Sequence, residues 1–168
     1  MLENKKPSIF LIDDEPIQNE MLKDFLLENF DFDIRMYDNG EEAIKNLNLS
    51  PEIAVLDFHL NAHLQNAKNG IEVLKLLKEK SPETYIIMLS GQDKIEVAVD
   101  SMKYGAYDYV IKGETAFSRI QNTITNILQY KGIHDANKAY KNIIIFMGII
   151  MLAIILVSVY MIKYFGTH

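Results

Sequence analysis

The sequence predicts an α/β domain with a five-stranded parallel sheet, followed by one helix long enough to cross a membrane. Short apolar runs alternate with stretches of helical periodicity over the first 130 residues. Strands this uniformly apolar are typical of a parallel sheet that helices cover on both faces. A run of twenty uncharged residues near the C-terminus predicts the separate helix. We therefore expect a domain over residues 1–130, a connector over 131–142, a membrane helix over 143–162 and a short tail over 163–168.

The strands are predicted where short apolar runs are bounded by polar or turn-forming residues. These runs are Ile9–Ile12, Ile34–Tyr37, Ile53–Leu56, Tyr85–Leu89 and Tyr107–Ile111. Helices are predicted in the intervals, where apolar residues recur at helical spacing. They lie near residues 16–29, 40–48, 70–80, 94–104 and 115–130, with the stripe of the third formed by Ile71, Leu74 and Leu77.

Charge and composition argue against several kinds of function and binding site. Residues 1–130 contain 13 basic and 22 acidic side chains, a net charge of −9. This acidic body argues against a nucleic-acid surface, because contacts to phosphate need clustered Lys and Arg. The chain has no cysteine, which excludes disulfides and zinc–thiolate sites. Its first residues, MLENKKPS, lack the apolar stretch of a secretory signal.

The run Ile143–Ile162 is predicted to span a membrane once. As a helix it would be about 30 Å long, roughly the thickness of the hydrocarbon core of a bilayer. A buried core helix is the alternative, but the run is too long and apolar on all sides. Lys131, Lys138 and Lys141 precede it and only Lys163 follows it. This excess predicts a protein of the inner, or cytoplasmic, membrane whose N-terminal domain faces the cytoplasm. No oligomeric state is predicted.

Polar side chains follow four of the predicted strands. Asp13 and Asp14 follow the first strand, Asp57 the third, Ser90 the fourth and Lys112 the fifth. Functional residues of parallel sheets gather beyond the carboxyl ends of the strands, so we expect these side chains to converge. Taken alone, the acidic turn at residues 13–15 is better explained as a capped, solvated turn before a helix than as a metal site.

Three converging carboxylates repel one another unless a cation accepts them, and Mg²⁺ prefers carboxylate and water oxygens. Beside Mg²⁺, a carboxylate such as Asp57 can attack phosphorus and carry a phosphoryl group. Transfer of that group depends on positioning and counter-charge. Lys112 would supply charge, Ser90 a hydrogen-bond donor, and Gly91 room for the group to enter.

The same residues carry a resemblance to the receiver domain of two-component response regulators, over residues 7–130. The matching segments read FLIDDEP, AVLDF, NGIEVL, IIMLSG and GAYDYVIKG. The resemblance implies a flavodoxin-like (βα)5 fold, doubly wound, with strand order 2-1-3-4-5. It also implies a signalling domain, not a separate enzyme, that receives a phosphoryl group from a histidine kinase or a phosphotransfer protein.

The resemblance further implies roles for single residues. Asp57 would be the phosphoacceptor and Asp14 a direct Mg²⁺ ligand. Asp13 would act on Mg²⁺ through water, and the main-chain carbonyl of His59 would complete the ligands. Ser90 would be the switching hydroxyl.

Tyr109 takes the position of the family's switching aromatic residue, although plain packing explains a tyrosine there equally well.

Two departures from the family pattern concern the site. Gly113 follows Lys112 where the family has a proline in a cis peptide, so the direction of the lysine is left open. The loop after Asp57 takes thirteen steps to reach Gly70, where the family usually takes eight. This extended loop could slow water, select a partner or do neither.

His59 raises two further hypotheses. With Gln92 it would flank the phosphoryl group and influence its hydrolysis. With His63, four residues on, it could form a transition-metal pair, which is a weak site without a third ligand.

The leading functional prediction is a membrane-tethered phosphoacceptor that signals through protein contacts. The alternative is a pseudo-receiver, a membrane-held interaction module that is never phosphorylated. A Mg²⁺-dependent phosphatase ranks last, because we find no insertion that would bind a substrate.

Overall fold

The computed structural model describes residues 6–60, 68–91 and 94–165, apart from the side chains of 135, 136, 138, 162, 164 and 165. Within these ranges five strands alternate with five helices. The strands are β1 (Ser8–Ile12), β2 (Asp33–Tyr37), β3 (Ile53–Asp57), β4 (Tyr85–Ser90) and β5 (Asp108–Ile111). The helices are α1 (Pro16–Leu27), α2 (Gly40–Lys45), α3 (Gly70–Lys80), α4 (Ile95–Lys103) and α5 (Ala116–Phe165), with a 3₁₀ turn at Leu47–Leu49 after α2.

The strands form one parallel sheet in the order β2-β1-β3-β4-β5, which confirms the predicted fold class. β1 and β3 are buried along their whole length, because side chains on both faces of these central strands meet covering helices. Edge strand β2 is half exposed. The register pairs Asp57 with Leu89 and Ser90 with Ile111, so these strands end at one edge of the sheet.

Local sequence signals explain where the helices begin. Pro16 occupies the first turn of α1, where its missing N–H costs no hydrogen bond. Asn39 caps α2 by accepting a hydrogen bond from the main-chain N–H of Glu42. Asn69 and Glu72 form a reciprocal capping box at the start of α3.

The buried face of α3 differs slightly from the predicted stripe. Val73, Leu74 and Leu77 are fully buried, whereas Ile71 is only partly buried. A helix advances about 100° per residue, which places residues 73, 74 and 77 on one side. Burying each large apolar side chain contributes about 1.5–3 kcal/mol, so this face holds α3 firmly on the sheet.

Helix α5 continues far beyond the predicted end near residue 130, because nothing in the local sequence stops it. The chain has no proline after Pro82, and the interior glycine Gly132 costs only about 1 kcal/mol relative to alanine. The chain divides into two compact units, Met1–Thr125 and Asn126–His168. Among the described residues one helix, Ala116–Met161, is long and apolar enough that it could cross a membrane.

Candidate functional site

The acidic turn after β1 is held by main-chain and side-chain hydrogen bonds. Asp13 is 4% exposed, and its main-chain N–H donates to the carbonyl of Tyr37 on β2 at 3.2 Å. Its Oδ1 accepts from the main-chain N–H of Glu15 at 2.9 Å. Its main-chain oxygen accepts from Nδ2 of Asn19 on α1, also at 2.9 Å. The turn is therefore tied both to the neighbouring strand and to the following helix.

Asp57, the last residue of β3, presents one carboxylate oxygen to the site. The residue is 3% exposed, and its Oδ2 accepts from the main-chain N–H of His59 at 2.9 Å. Phe58 extends the sheet by donating its N–H to the carbonyl of Leu89 at 2.8 Å. Within the described chain, Oδ1 of Asp57 accepts no hydrogen bond of good geometry. This oxygen is left for a charged partner.

Lys112 after β5 provides that partner and bridges two of the carboxylates. Its Nζ donates to Oδ2 of Asp13 at 2.9 Å and lies 3.0 Å from Oδ1 of Asp57. Its main-chain N–H donates to the carbonyl of Ser90 at 2.7 Å, which fixes the loop against β4. The peptide bond to Gly113 is trans. The direction of the lysine, which the sequence left open, is therefore into the acidic site.

Burial and charge shift the pKa values of this cluster. Burial makes the largest contribution to the raised pKa of Asp57, and the negative charge of Asp13 raises it further. Lys112 lowers this pKa, but by less than the other two effects raise it. Burial alone would lower the pKa of Lys112, but the hydrogen bond to Asp13 and the attraction of the Asp57 and Asp13 carboxylates raise it above its usual value. One cation therefore faces two buried anions, and the cluster retains an excess of negative charge.

The carboxylates of Asp13, Asp14 and Asp57 fit a hard divalent cation. Their ligand oxygens all lie within 4.8 Å of one another, and Asp14 is only partly buried. Such an all-oxygen donor set suits Mg²⁺. Each oxygen of Asp13 already accepts a hydrogen bond, Oδ1 from the N–H of Glu15 and Oδ2 from Lys112, and the contact of Asp13 with the cation through water stays a prediction.

The other predicted site residues lie at the same sheet edge or near it. Ser90 is fully buried at the end of β4, and Tyr109 is 7% exposed within the core on β5. The N–H of His59 faces Asp57. A Cβ atom at Gly91 would meet no described atom within 4 Å, so packing does not require glycine there. The switching, ligand and entry roles assigned to these residues stay predictions.

The extended loop after Asp57 is described only at its ends. Leu60 is buried, and Lys68 pairs with Glu41 on α2 at 3.3 Å. The N–H of Gly70 donates to the carbonyl of Phe58 at 3.0 Å, which returns the chain to the site. His63 and Gln92 lie outside the described residues, as does the middle of the loop.

The sequence reasoning missed Asn19. Asn19, Leu22 and Leu26 are the buried residues of α1 and share one face at spacings of three and four. A polar residue within an apolar stripe is a readable signal, because a buried amide needs a hydrogen-bond partner.

Comparison with known proteins gives a consistent result. A family model described as "Response regulator receiver domain" matches residues 9–139. The regulatory protein LuxO of Vibrio cholerae is 32% identical over 104 residues, 61% of this chain and 22% of that protein. The photosynthetic apparatus regulatory protein RegA of Rhodobacter capsulatus is 40% identical over 85 residues, 51% of this chain and 41% of that protein. The chain thus spans less than half the length of either relative.

A solved structure supports the same assignment. The receiver domain of NtrX from Brucella abortus is 27% identical, with a TM-score of 0.62. The match covers 72% of this chain and 98% of that domain.

Proposed function

The chain belongs to the response regulator receiver family, and from this premise we propose that Asp57 accepts a phosphoryl group in a two-component phosphorelay. The observation that carries the proposal is the cluster in which Lys112 lies 2.9 Å from Asp13 and 3.0 Å from Asp57. The donor would be a histidine kinase or a phosphotransfer protein. Asp14 and Asp57 would hold Mg²⁺ directly, with Asp13 acting through water and His59 through its carbonyl.

The hydrogen bonds of Asp57 suit it to act as the nucleophile. The N–H of His59 holds Oδ2, whereas Oδ1 is turned toward Lys112. Oδ1 would attack phosphorus, forming an O–P bond while the P–N bond to the donor's imidazole breaks. The imidazole leaves with the electron pair and takes up a proton from water. Mg²⁺, when bound, supplies positive charge against the phosphoryl oxygens.

The surrounding side chains would stabilise and read the product. Lys112 places its charge beside the transferred group, where low exposure strengthens the attraction. Ser90 would donate its hydroxyl to a phosphoryl oxygen, and Tyr109 would respond by changing its packing. Such a response shifts the population of two pre-existing states, which then differ in their protein contacts.

We propose that residues 143–162 anchor the protein as a single span, with 131–142 as connector and 163–168 as tail. The apolar side chains of this stretch are exposed throughout its described part, as a lipid-facing helix requires. The excess of lysines before the span favours the orientation in which the receiver domain lies on the cytoplasmic side of the inner membrane. Confinement at the membrane would raise the effective concentration of the domain near a membrane-bound kinase.

Mg²⁺ binding separates this function from the pseudo-receiver alternative. We expect the full chain in detergent micelles to bind Mg²⁺ saturably in the millimolar range, as measured by titration calorimetry. Asp14→Asn should weaken binding at least tenfold, because it removes a direct ligand. The matched control Asp100→Asn changes an exposed carboxylate on α4 and should leave the affinity unchanged. Absence of saturable binding in the wild-type protein would instead establish the pseudo-receiver.

A further inference from the structure

Asn19 is a buried polar residue for which the phosphoacceptor chemistry gives no role. It lies on the inner face of α1 and is 3% exposed. Its Nδ2 donates to the main-chain oxygen of Asp13 at 2.9 Å, across six residues of sequence. A buried amide without a partner is costly, so this bond constrains both the helix and the turn.

The bond ties the start of α1 to the turn that precedes it. Glu15, the N-cap residue, makes no side-chain capping hydrogen bond. The turn is held instead by Asp13, whose Oδ1 accepts from the N–H of Glu15, and by the amide of Asn19. Because the oxygen that Asn19 holds belongs to the peptide joining Asp13 to Asp14, it sets the plane of that peptide. The plane in turn sets the direction in which the side chain of Asp14 leaves the backbone.

The cavity that Asn19 and the carboxylates line is too small to let this turn move far. It measures about 10 Å³ and is lined by Asn19 together with Asp13, Asp57, Leu22, Val55 and Phe117. This volume is at the lower limit of what holds one water molecule. The turn therefore has little room to shift while the Asn19 side chain is in place.

We propose that Asn19 is a positioning residue that aims the Asp14 carboxylate at the bound cation. The inference rests on the proposed function, since it concerns the same Mg²⁺ site. The chemistry requires a short side chain with a neutral donor. Aspartate has no donor when ionised and would add a further negative charge beside Asp13, whereas alanine leaves the carbonyl unpaired. Groups that orient metal ligands typically contribute about 10–100-fold to metal affinity.

The test compares Asn19→Ala with Asn29→Ala in the full chain in detergent micelles. Asn29 is a matched control on the segment after α1, because its Nδ2 also donates to a main-chain carbonyl, that of Phe25 at 3.0 Å, but at an exposed site. Mg²⁺ affinity is measured by titration calorimetry, and phosphorylation by acetyl phosphate is measured at saturating Mg²⁺. We expect Asn19→Ala to raise the Kd for Mg²⁺ about tenfold. Its rate at saturating Mg²⁺ should stay within about twofold of wild type, and Asn29→Ala should change neither value.

A purely structural role would lower the thermal midpoint of Asn19→Ala but leave its Mg²⁺ affinity at the wild-type value, and that result would overturn the proposal. If Asn19→Ala does not fold, Asn19→Ser retains a small polar side chain that is too short to replace the amide, and the same comparison applies to it. Failure of the proposed function is distinguishable, because the wild-type chain itself would then bind no Mg²⁺.

Discussion

At the scale of single residues, the charged side chains of the site have little exposure to water. The side chains of Lys112, Asp13 and Asp57 are 23%, 6% and 3% exposed. Removing Lys112 would leave two buried carboxylates without their cation, which typically costs about 3–5 kcal/mol. Burial and the charge of Asp13 nevertheless raise the pKa of Asp57. The ionised carboxylate is therefore less stable in the folded protein than in the unfolded chain.

The stability of Asp57→Asn should reveal this cost. A carboxylate whose pKa is higher in the folded state destabilises the fold when ionised, and the cost disappears as the pH falls below both pKa values. We expect Asp57→Asn, without Mg²⁺, to raise the thermal midpoint of the domain at neutral pH by a few degrees, since about 1 kcal/mol corresponds to about 2–8 °C. The gain should shrink toward the usual Asp pKa of about 3.9. Thermal unfolding followed by circular dichroism over this pH range measures it.

The Asp100→Asn variant controls for the general loss of one negative charge, because its carboxylate is exposed on α4. A lower midpoint for Asp57→Asn at neutral pH would mean that attraction to Lys112 exceeds the cost of burial.

Strand ends were enough to predict the convergence of Asp13, Asp57 and Lys112 from the sequence. Only the direction of the Lys112 side chain could not be predicted, because Gly113 stands where the family has a proline. The role of Asn19 was not predicted either. Its partner is a main-chain oxygen, and side-chain patterns do not report main-chain partners.

At the scale of elements, the start of α3 is fitted closely against the end of β3. A Cβ atom on Gly70 would lie 2.6 Å from both the carbonyl oxygen of Asp57 and Cα of Phe58. Because both are backbone atoms, no side-chain rotation can relieve the clash. The capping box of Asn69 and Glu72 holds the helix start at this point. The extended loop therefore rejoins the domain at a fixed position beside Asp57.

Gly70→Ala should disturb both stability and the site. We expect it to cost about 1–3 kcal/mol, as overpacking typically does. It should also weaken Mg²⁺ binding, because relief of the clash must move the backbone that carries Asp57. Gly113→Ala is the matched control, since its Cβ would meet no described atom within 4 Å. Chemical denaturation and Mg²⁺ titration of both variants measure the difference, and equal effects would contradict the account.

Element boundaries were predictable from the sequence where it carries a clear signal. The predicted starts near residues 16 and 70 agree with α1 and α3, where the structure has Pro16 in the first turn and a capping box of Asn69 and Glu72. The end of α5 was predicted near residue 130, where the apolar stripe gives way to polar residues, but the helix runs to Phe165. Helical hydrogen bonding propagates through a polar stretch unless a breaker stops it, and Gly132 is too weak a breaker.

At the scale of the whole molecule, an acidic domain is followed by a basic segment that contains the uncharged apolar run 143–162. Residues 1–130 carry a net charge of −9 and residues 131–168 a net charge of +3. Strand order could be predicted from the sequence only through the resemblance, because apolar runs show that strands exist but not which strands are neighbours. The support for anchoring is the length and apolar composition of this helix, and it is the same in the sequence and in the structure.

A charge in the middle of the proposed span should disrupt anchoring. Ile154→Arg places a guanidinium near the centre of residues 143–162, where insertion is disfavoured by about 2.5–3.5 kcal/mol. We expect a reduced fraction of the protein in membranes after alkaline carbonate extraction. Ile133→Arg is the control, because this exposed isoleucine lies in α5 before the proposed span. Retention of Ile154→Arg at the wild-type level would contradict the anchor.

The central claim is that Asp57 is phosphorylated in a Mg²⁺-dependent reaction. The most direct test is the intact mass of the full chain in detergent after incubation with acetyl phosphate, with Mg²⁺ or with a chelator, for wild type and Asp57→Asn. The account predicts the mass of one added phosphoryl group in wild type with Mg²⁺, and none with chelator or in the variant. No addition to wild type, or equal addition to Asp57→Asn, would contradict it.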